Sequence, residues 1–241
     1  MNKQDGWNEI GENYNKNWER EPEKRLSKLE LNFIILQLKE KNPKKILDMG
    51  CGTGRILHCL FKNSKANAKI YGLDYAQKMV DFCKRSFYPT GTRSKIKAIF
   101  QCDFSNEELP KNLTFDFISA IRVLKYNKNW REIIPKIKNT LNPDGVFVFT
   151  MPNKVSASFF SNYGIQDCLT TRSEVKKLLI DQGLLLENTC SFSRLPRTFY
   201  TFFNGSITYA KLILFIEKIL GIFLGKTLFG KELFFVTRKP R

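Results

Sequence analysis

The run from Lys44 to Arg55, K-K-I-L-D-M-G-C-G-T-G-R, constrains the fold of this chain more than any other stretch. Ile46 and Leu47 form an apolar pair of the sort a buried parallel strand presents. Gly50, Gly52 and Gly54 follow at alternate positions, and an apolar-periodic helix starts at once with Ile56, Leu57 and Leu60. A chain without Cβ can turn sharply off a strand and let a ligand lie against its peptide groups. Strand, turn and helix therefore predict a ligand-binding α/β fold. Asp48, at the strand end, can offer a carboxylate to a cationic group. The dinucleotide pattern G-x-G-x-x-G or A is not met, because Arg55 stands three positions after Gly52; this speaks against a nicotinamide enzyme.

A second strand, Ala68 to Leu73, leads into Asp74 and Tyr75. Asp74 lies 20 residues beyond Gly54, where a ribose-gripping carboxylate is expected at the end of a second strand. A nucleoside-containing ligand is the expectation.

L-D-M-G-C-G-T-G followed by G-L-D-Y resembles motif I and the acidic ribose-binding loop of class I S-adenosylmethionine-dependent methyltransferases, in their small-molecule and lipid branch. F-Q-C-D-F at 100–104, F-D-F-I at 115–118 and L-N-P-D-G-V-F-V-F-T at 141–150 resemble the remaining core motifs in order and spacing. The resemblance covers residues 42–150 well and the C-terminal part loosely. It implies an α/β fold: a Rossmann-like, mostly parallel seven-stranded sheet with an antiparallel last strand, helices on both faces, and a helical insertion between strands six and seven. One domain, 1–241, would then hold a helical lid at 1–41, a cofactor-binding core at 42–151 and a substrate-capping insertion at 194–230. S-adenosylmethionine is the implied methyl donor and S-adenosylhomocysteine the product. The implied cofactor contacts are Tyr14, Asp48, Gly50, Cys51, Gly52, Thr53, Gly54, Asp74, Tyr75, Met79, Asp103, Phe104, Ile121 and Arg122.

At the N-terminus, Trp7, Ile10, Tyr14 and Trp18 recur at helical spacing as an aromatic stripe, read as core or, by the resemblance, as a lid over the cofactor. Pro22 opens a helix to about Lys41 with Leu26, Leu29, Phe33, Leu36 and Leu38 toward the sheet. Met79, on a helix over 76–87, fills core or rests against an adenine ring. Asp103, at the end of strand Ile96–Cys102, caps the segment starting at Ser105 and, by the resemblance, reads the adenine amine.

Strand Phe115–Ile121 delivers Arg122. Relatives often place a histidine or carboxylate just beyond, whereas this chain has Val123-Leu124-Lys125-Tyr126 and offers no obvious general base. His58, the only histidine, is read as structural. Tyr126, Tyr163, Arg194, Arg197 and Tyr200 are candidate substrate contacts, the arginines toward an anion. Alignment of donor and acceptor supplies most of what methyl transfer needs. Asn127–Leu141 is predicted helical, Asn142–Gly145 a turn, and Val146–Met151 strand five. The helix Thr171–Gln182 is expected to be capped by Ser173 or a neighbour, before strand six, Leu184–Phe192; Glu232–Arg238 is the candidate strand seven.

The inserted helix, Ile207–Leu224, is apolar around most of its circumference, yet Lys211, Glu217 and Lys218 make it a poor transmembrane span. It is a buried cap over the pocket, a homodimer contact or a peripheral membrane contact through 206–224. The net charge of +17 invites nucleic acid, but residues 1–150 hold 27 basic and 17 acidic side chains and 151–241 hold 13 and 6, so the excess forms no compact arm. A small-molecule or lipid-linked acceptor, anionic in character, is favoured. An RNA methyltransferase and a non-catalytic cofactor binder are the alternatives. Six cysteines without a C-x-x-C pair suit neither zinc nor a disulfide framework, and no metal is expected. The polar start M-N-K-Q-D and these free thiols point to a cytoplasmic location.

Overall fold

Ile46 and Leu47 sit at the centre of a seven-stranded sheet. The structure, a computed structural model, describes residues 6, 16–21, 23–87, 95–107, 109, 113–156, 168–201, 206–223 and 229–241. β1 (Lys45–Met49) pairs in parallel with β2 (Lys69–Asp74) and β4 (Phe115–Ala120). β3 (Ile96–Gln101) extends the sheet past β2, and β5 (Leu141–Pro152) extends it past β4. β7 (Glu232–Arg238) runs antiparallel between β5 and β6 (Leu185–Phe192), giving the order β3-β2-β1-β4-β5-β7-β6. This is the expected Rossmann-like arrangement with an antiparallel last strand.

Among the described residues the α-helices are α1 (Lys16–Glu19), α2 (Glu23–Lys41), α3 (Arg55–Asn63), α4 (Gln77–Phe87), α5 (Trp130–Thr140), α6 (Arg172–Asp181), α7 (Arg197–Thr201) and α8 (Ile207–Phe223). Successive strand residues point to opposite faces. Leu47 joins Ile118, Phe147 and Phe149 beneath Trp130, Ile133 and Ile137 of α5. Ile46 joins Phe117, Val148 and Phe234 beneath Ile34 and Leu38 of α2, Leu57 and Leu60 of α3, and Val80 of α4. Near-continuous apolar strands are thus explained by helices on both faces.

Two local expectations need correction, and a third is made specific. α2 is rotated by about one residue from the all-apolar face. Leu26, Ser27, Glu30, Ile34, Gln37 and Leu38 are buried, while Leu36 is 63% and Leu29 38% exposed. The cause is Arg55 at the start of α3, which donates to the Ser27 hydroxyl at 2.6 Å and pairs with Glu30 at 3.5 Å. The turn Asn142–Gly145 is absorbed into β5: Leu141 pairs with Phe115, and the next partners are Val146 and Phe117, with Asp144 at φ 60° between them. As expected, a neighbour of Ser173 caps the helix: Thr171 is the N-cap of α6. Its hydroxyl accepts from the Glu174 N–H at 3.2 Å, and the Glu174 carboxylate accepts from the Thr171 N–H at 2.8 Å, a reciprocal capping box. Trp7, Ile10, Tyr14 and Tyr163 lie outside the described residues.

Candidate active site

The carboxyl ends of β1 to β4 open onto a cavity of about 440 Å³, the edge where open α/β sheets hold ligands. The turn after β1 forms its floor. Gly50 takes φ 70°, and a Cβ there would come within 2.3 Å of Val123, so glycine lets the turn pass under the segment after β4. Cys51 N–H donates to Leu73 O at 2.8 Å and Gly52 N–H to Asp74 Oδ2 at 2.8 Å, which ties the turn to the end of β2. At Gly52 the space a Cβ would enter is open to 4 Å.

Twelve of the residues named from the sequence share this wall. Gly50, Cys51, Gly52 and Thr53 come from the turn; Asp74, Tyr75 and Met79 from the end of β2 and α4; Asp103 and Phe104 from beyond β3; and Ile121, Arg122 and Tyr126 from beyond β4. Asp48 and Gly54 stand behind it. Asp48 is 1% exposed and its Oδ1 accepts from the Ser119 hydroxyl at 2.8 Å. A Cβ on Gly54 would meet Cys83 Sγ at 3.1 Å, so that glycine serves helix packing. Arg194 and Tyr200 are also elsewhere. They surround the buried Glu217 of α8, because a carboxylate on the inward face of an apolar helix requires donors. Arg197 opens α7, and Tyr14 and Tyr163 lie outside the described residues.

The protonation of the wall follows from its surroundings. Asp74 accepts from Gly52 N–H and, at 2.9 Å, from Ala76 N–H; burial nevertheless holds its carboxyl above the ordinary value. Each of its oxygens retains acceptor capacity. Burial also raises Asp103, but donation from Ser105 and Asn106 outweighs that and leaves its carboxyl below the ordinary value. Asp103 therefore caps its turn and faces the cavity at once. Burial, then the Glu232 carboxylate, pushes the Tyr126 hydroxyl up to about 12, so at neutral pH it is a donor and no base. His58 stacks on Phe87 at 4.1 Å, away from this wall.

The sequence reading missed an ion cluster that borders the cavity. Arg55 and Arg122 both line the wall and both pair with Glu30 of α2. Arg122 Nε also lies 3.1 Å from Glu232 at the start of β7, which takes Lys125 Nζ at 2.5 Å. The two guanidinium groups lie 4.2 and 4.5 Å from the Trp18 ring centroid, attaching α1 to the site. Arg122 adopts φ 64°, and its N–H donates to Thr150 Oγ1 at 2.7 Å. One signal was present in the sequence: Glu30 falls on the same helical stripe as Leu26 and Ile34, and an acid on an apolar stripe calls for a buried cation. Among the described residues, no group of three or more His, Cys, Asp or Glu side chains could hold a metal ion.

The strand order, the glycine turn under the cavity and carboxylates at the ends of β2 and β3 are those of the class I methyltransferase fold. The methyltransferase-domain family matches residues 14–203, and the chain belongs to that family. It is 27% identical over 135 residues to a ubiquinone biosynthesis O-methyltransferase of Actinobacillus pleuropneumoniae, covering 56% of each chain. It is 24% identical over 154 residues to a tRNA N(3)-methylcytidine methyltransferase of Schizosaccharomyces pombe, covering 61% of this chain and 45% of the other. The chain thus spans about half the length of the curated relatives it matches. In fold it superposes with a TM-score of 0.67 on a chain from a complex of the Haloferax volcanii Trm112 methyltransferase activator and a methyltransferase, at 17% identity and covering 100% and 99% of the two chains. Magnesium protoporphyrin IX methyltransferase from Synechocystis PCC 6803, solved with S-adenosylmethionine bound, shares the fold with a TM-score of 0.57 at 13% identity, covering 88% of this chain and 78% of the other. The wall fits such a group: open space above Gly52, acceptor oxygens on Asp74 and Asp103, and apolar Met79, Phe104 and Ile121 between them.

Proposed function

We propose that the protein methylates a small or lipid-linked acceptor carrying an ionisable hydroxyl or another anionic group. The observation that carries this reading is the far side of the cavity wall, where Ile121, Arg122 and Tyr126 put an apolar surface, a guanidinium and a phenol donor side by side. In this reading Asp74 accepts from the ribose hydroxyls, Asp103 from the adenine amine, and Met79 and Phe104 flank the base. The cofactor, when bound, supplies an electrophilic methyl group on a sulfonium. Arg122, Arg55 and Lys125 outnumber Glu30 and Glu232 by one charge, and that excess then favours the anionic form of the acceptor, whose proton passes to solvent, while Tyr126 steadies the acceptor oxygen as a donor. Among the described residues, none that lines the cavity is poised as a strong base, so orientation supplies the acceleration. The relatives named for O-methyl transfer in ubiquinone biosynthesis support the choice of acceptor.

RNA is the second reading, favoured by the net charge of +17 and by the tRNA methyltransferase among the relatives. One experiment separates them. The protein is incubated with methyl-labelled S-adenosylmethionine and cell extract, and the label is divided between an organic phase and nuclease-sensitive polymer. Label in the organic phase is expected; label released by nuclease overturns the small-acceptor reading.

A further inference from the structure

α8 is an amphipathic helix turned inside out. Its one acid points inward: Glu217, 5% exposed, accepts from the Arg194 N–H at 2.6 Å, the Leu195 N–H at 3.1 Å and the Tyr200 hydroxyl, with the Arg194 guanidinium at 3.4 Å. Ala210 and Ile213 share that buried face. These bonds fix the rotation of the helix, and the rotation sends its large apolar side chains outward. Phe215 is 61% exposed, Ile222 70% and Phe223 82%, with Leu212 and Ile207 beside them. At 100° per residue Ile222, Phe215, Leu212 and Phe223 share an arc of about 100°, and the exposed Lys211 and Lys218, seven residues apart, flank it on one side, between it and Ile207.

We infer that this stripe is a docking surface for an anionic lipid bilayer, with α8 lying flat in the headgroup layer. A row of Leu, Phe and Ile edged by lysines is what an interfacial helix presents: rings and branched chains enter the acyl boundary, and the lysine stems lift their ammonium groups to the phosphates. The helix has 17 residues, and no helix among the described residues is long and apolar enough to cross a membrane, so it lies on the surface. Charge complementarity selects the partner. No exposed carboxylate stands on α8, and the whole chain carries +17. A second copy of the chain would bring the same lysines and the same net charge against them, whereas a bilayer rich in phosphate headgroups attracts both.

The test is co-sedimentation with vesicles of phosphatidylcholine, with and without phosphatidylglycerol, using the full chain without cofactor or acceptor. Its outcome is therefore independent of the acceptor proposed above. The wild type is expected to partition onto the anionic vesicles and to be released by high salt. Phe215→Ser with Phe223→Ser, and separately Lys211→Glu with Lys218→Glu, are each expected to weaken partitioning by about tenfold or more. Thermal melts check that these exposed substitutions leave the fold unchanged. Equal binding by either double variant, or no binding by the wild type, overturns the inference. So does a wild-type dimer in sedimentation velocity that the phenylalanine variant converts to monomer, since a second copy would then cover the stripe.

Discussion

The two sides of the cavity bury carboxylates in opposite ways. On the β1–β2 side, Asp48 and Asp74 face hydroxyl and backbone N–H donors and no directly bonded cation, and burial raises both. On the β4–β7 side, Glu30 and Glu232 are as deeply buried but share Arg55, Arg122 and Lys125. There the cations overcome the burial and hold Glu232 down at about 2. The first side keeps acceptor capacity in reserve, as a surface meant for the neutral hydroxyls and amine of a nucleoside should. The second is closed by its own ion pairs, which join α2, the segment after β4 and β7 into one rim.

Breaking the closed side has the largest expected effect. Glu232→Gln leaves Arg122 and Lys125 without the charge that holds them together, and urea denaturation should register a loss of about 3–5 kcal/mol. A loss under about 1 kcal/mol would mean that the rim is hydrated and that the contrast between the two sides is false. On the open side the effect falls on the ligand. Asp74→Asn keeps the shape but withdraws one acceptor oxygen from a site where the carboxylate already serves two N–H groups. Calorimetry should show S-adenosylmethionine affinity falling by a factor of about 10–100, and Asp74→Arg should abolish binding. Unchanged affinity in both would remove Asp74 from the cofactor.

The open side was legible in the sequence because its parts are local. The strand, three glycines and an aspartate 20 residues on are all set by short-range backbone geometry, and the structure brings Gly52 and Asp74 into direct contact. The closed side was not legible, because Arg122 and Glu30 are 92 residues apart and Lys125 and Glu232 are 107 apart. Nothing in a linear pattern pairs them. Lys125 read as a departure from a catalytic position, whereas it is a buried counter-ion. The face of α2 was misjudged because apolar residues alone were counted, although burying Glu30 beside Arg55 outweighs burying Leu36. Arg194 and Tyr200 went astray for the same reason, since Glu217 within an apolar helix was itself the sign of buried donors.

The contrast sharpens with pH. Asp48 rises from an ordinary carboxyl value to about 7 on folding, through burial, so its contribution to stability is full below about pH 4 and is lost as pH rises through 7. Glu232 has the opposite sign: its contribution is full above about pH 4.5 and is lost as pH falls toward 2. Wild-type stability should therefore decline between pH 5 and pH 8, and Asp48→Asn should reduce that decline by about 2 kcal/mol while leaving the acid limb in place. If the variant declines as steeply as the wild type, Asp48 is ionised in the folded protein and the open side is more hydrated than its burial implies.

The smallest effect belongs to Tyr126, which stands where the two sides meet. It borders the cavity, yet burial and the Glu232 carboxylate push its hydroxyl up to about 12. A group with that pKa steadies an acceptor as a donor and does not remove its proton at neutral pH, so Tyr126→Phe should lower kcat by less than about tenfold, short of what loss of a general base costs. Its pH–rate profile between 7 and 9 should keep the wild-type shape. Loss of a basic limb in that profile, with kcat reduced a hundredfold or more, would make Tyr126 the base after all. The rim carboxylate Glu232 would then be hydrated enough to leave the phenol's proton free to move, and the closed side would be open in the working enzyme.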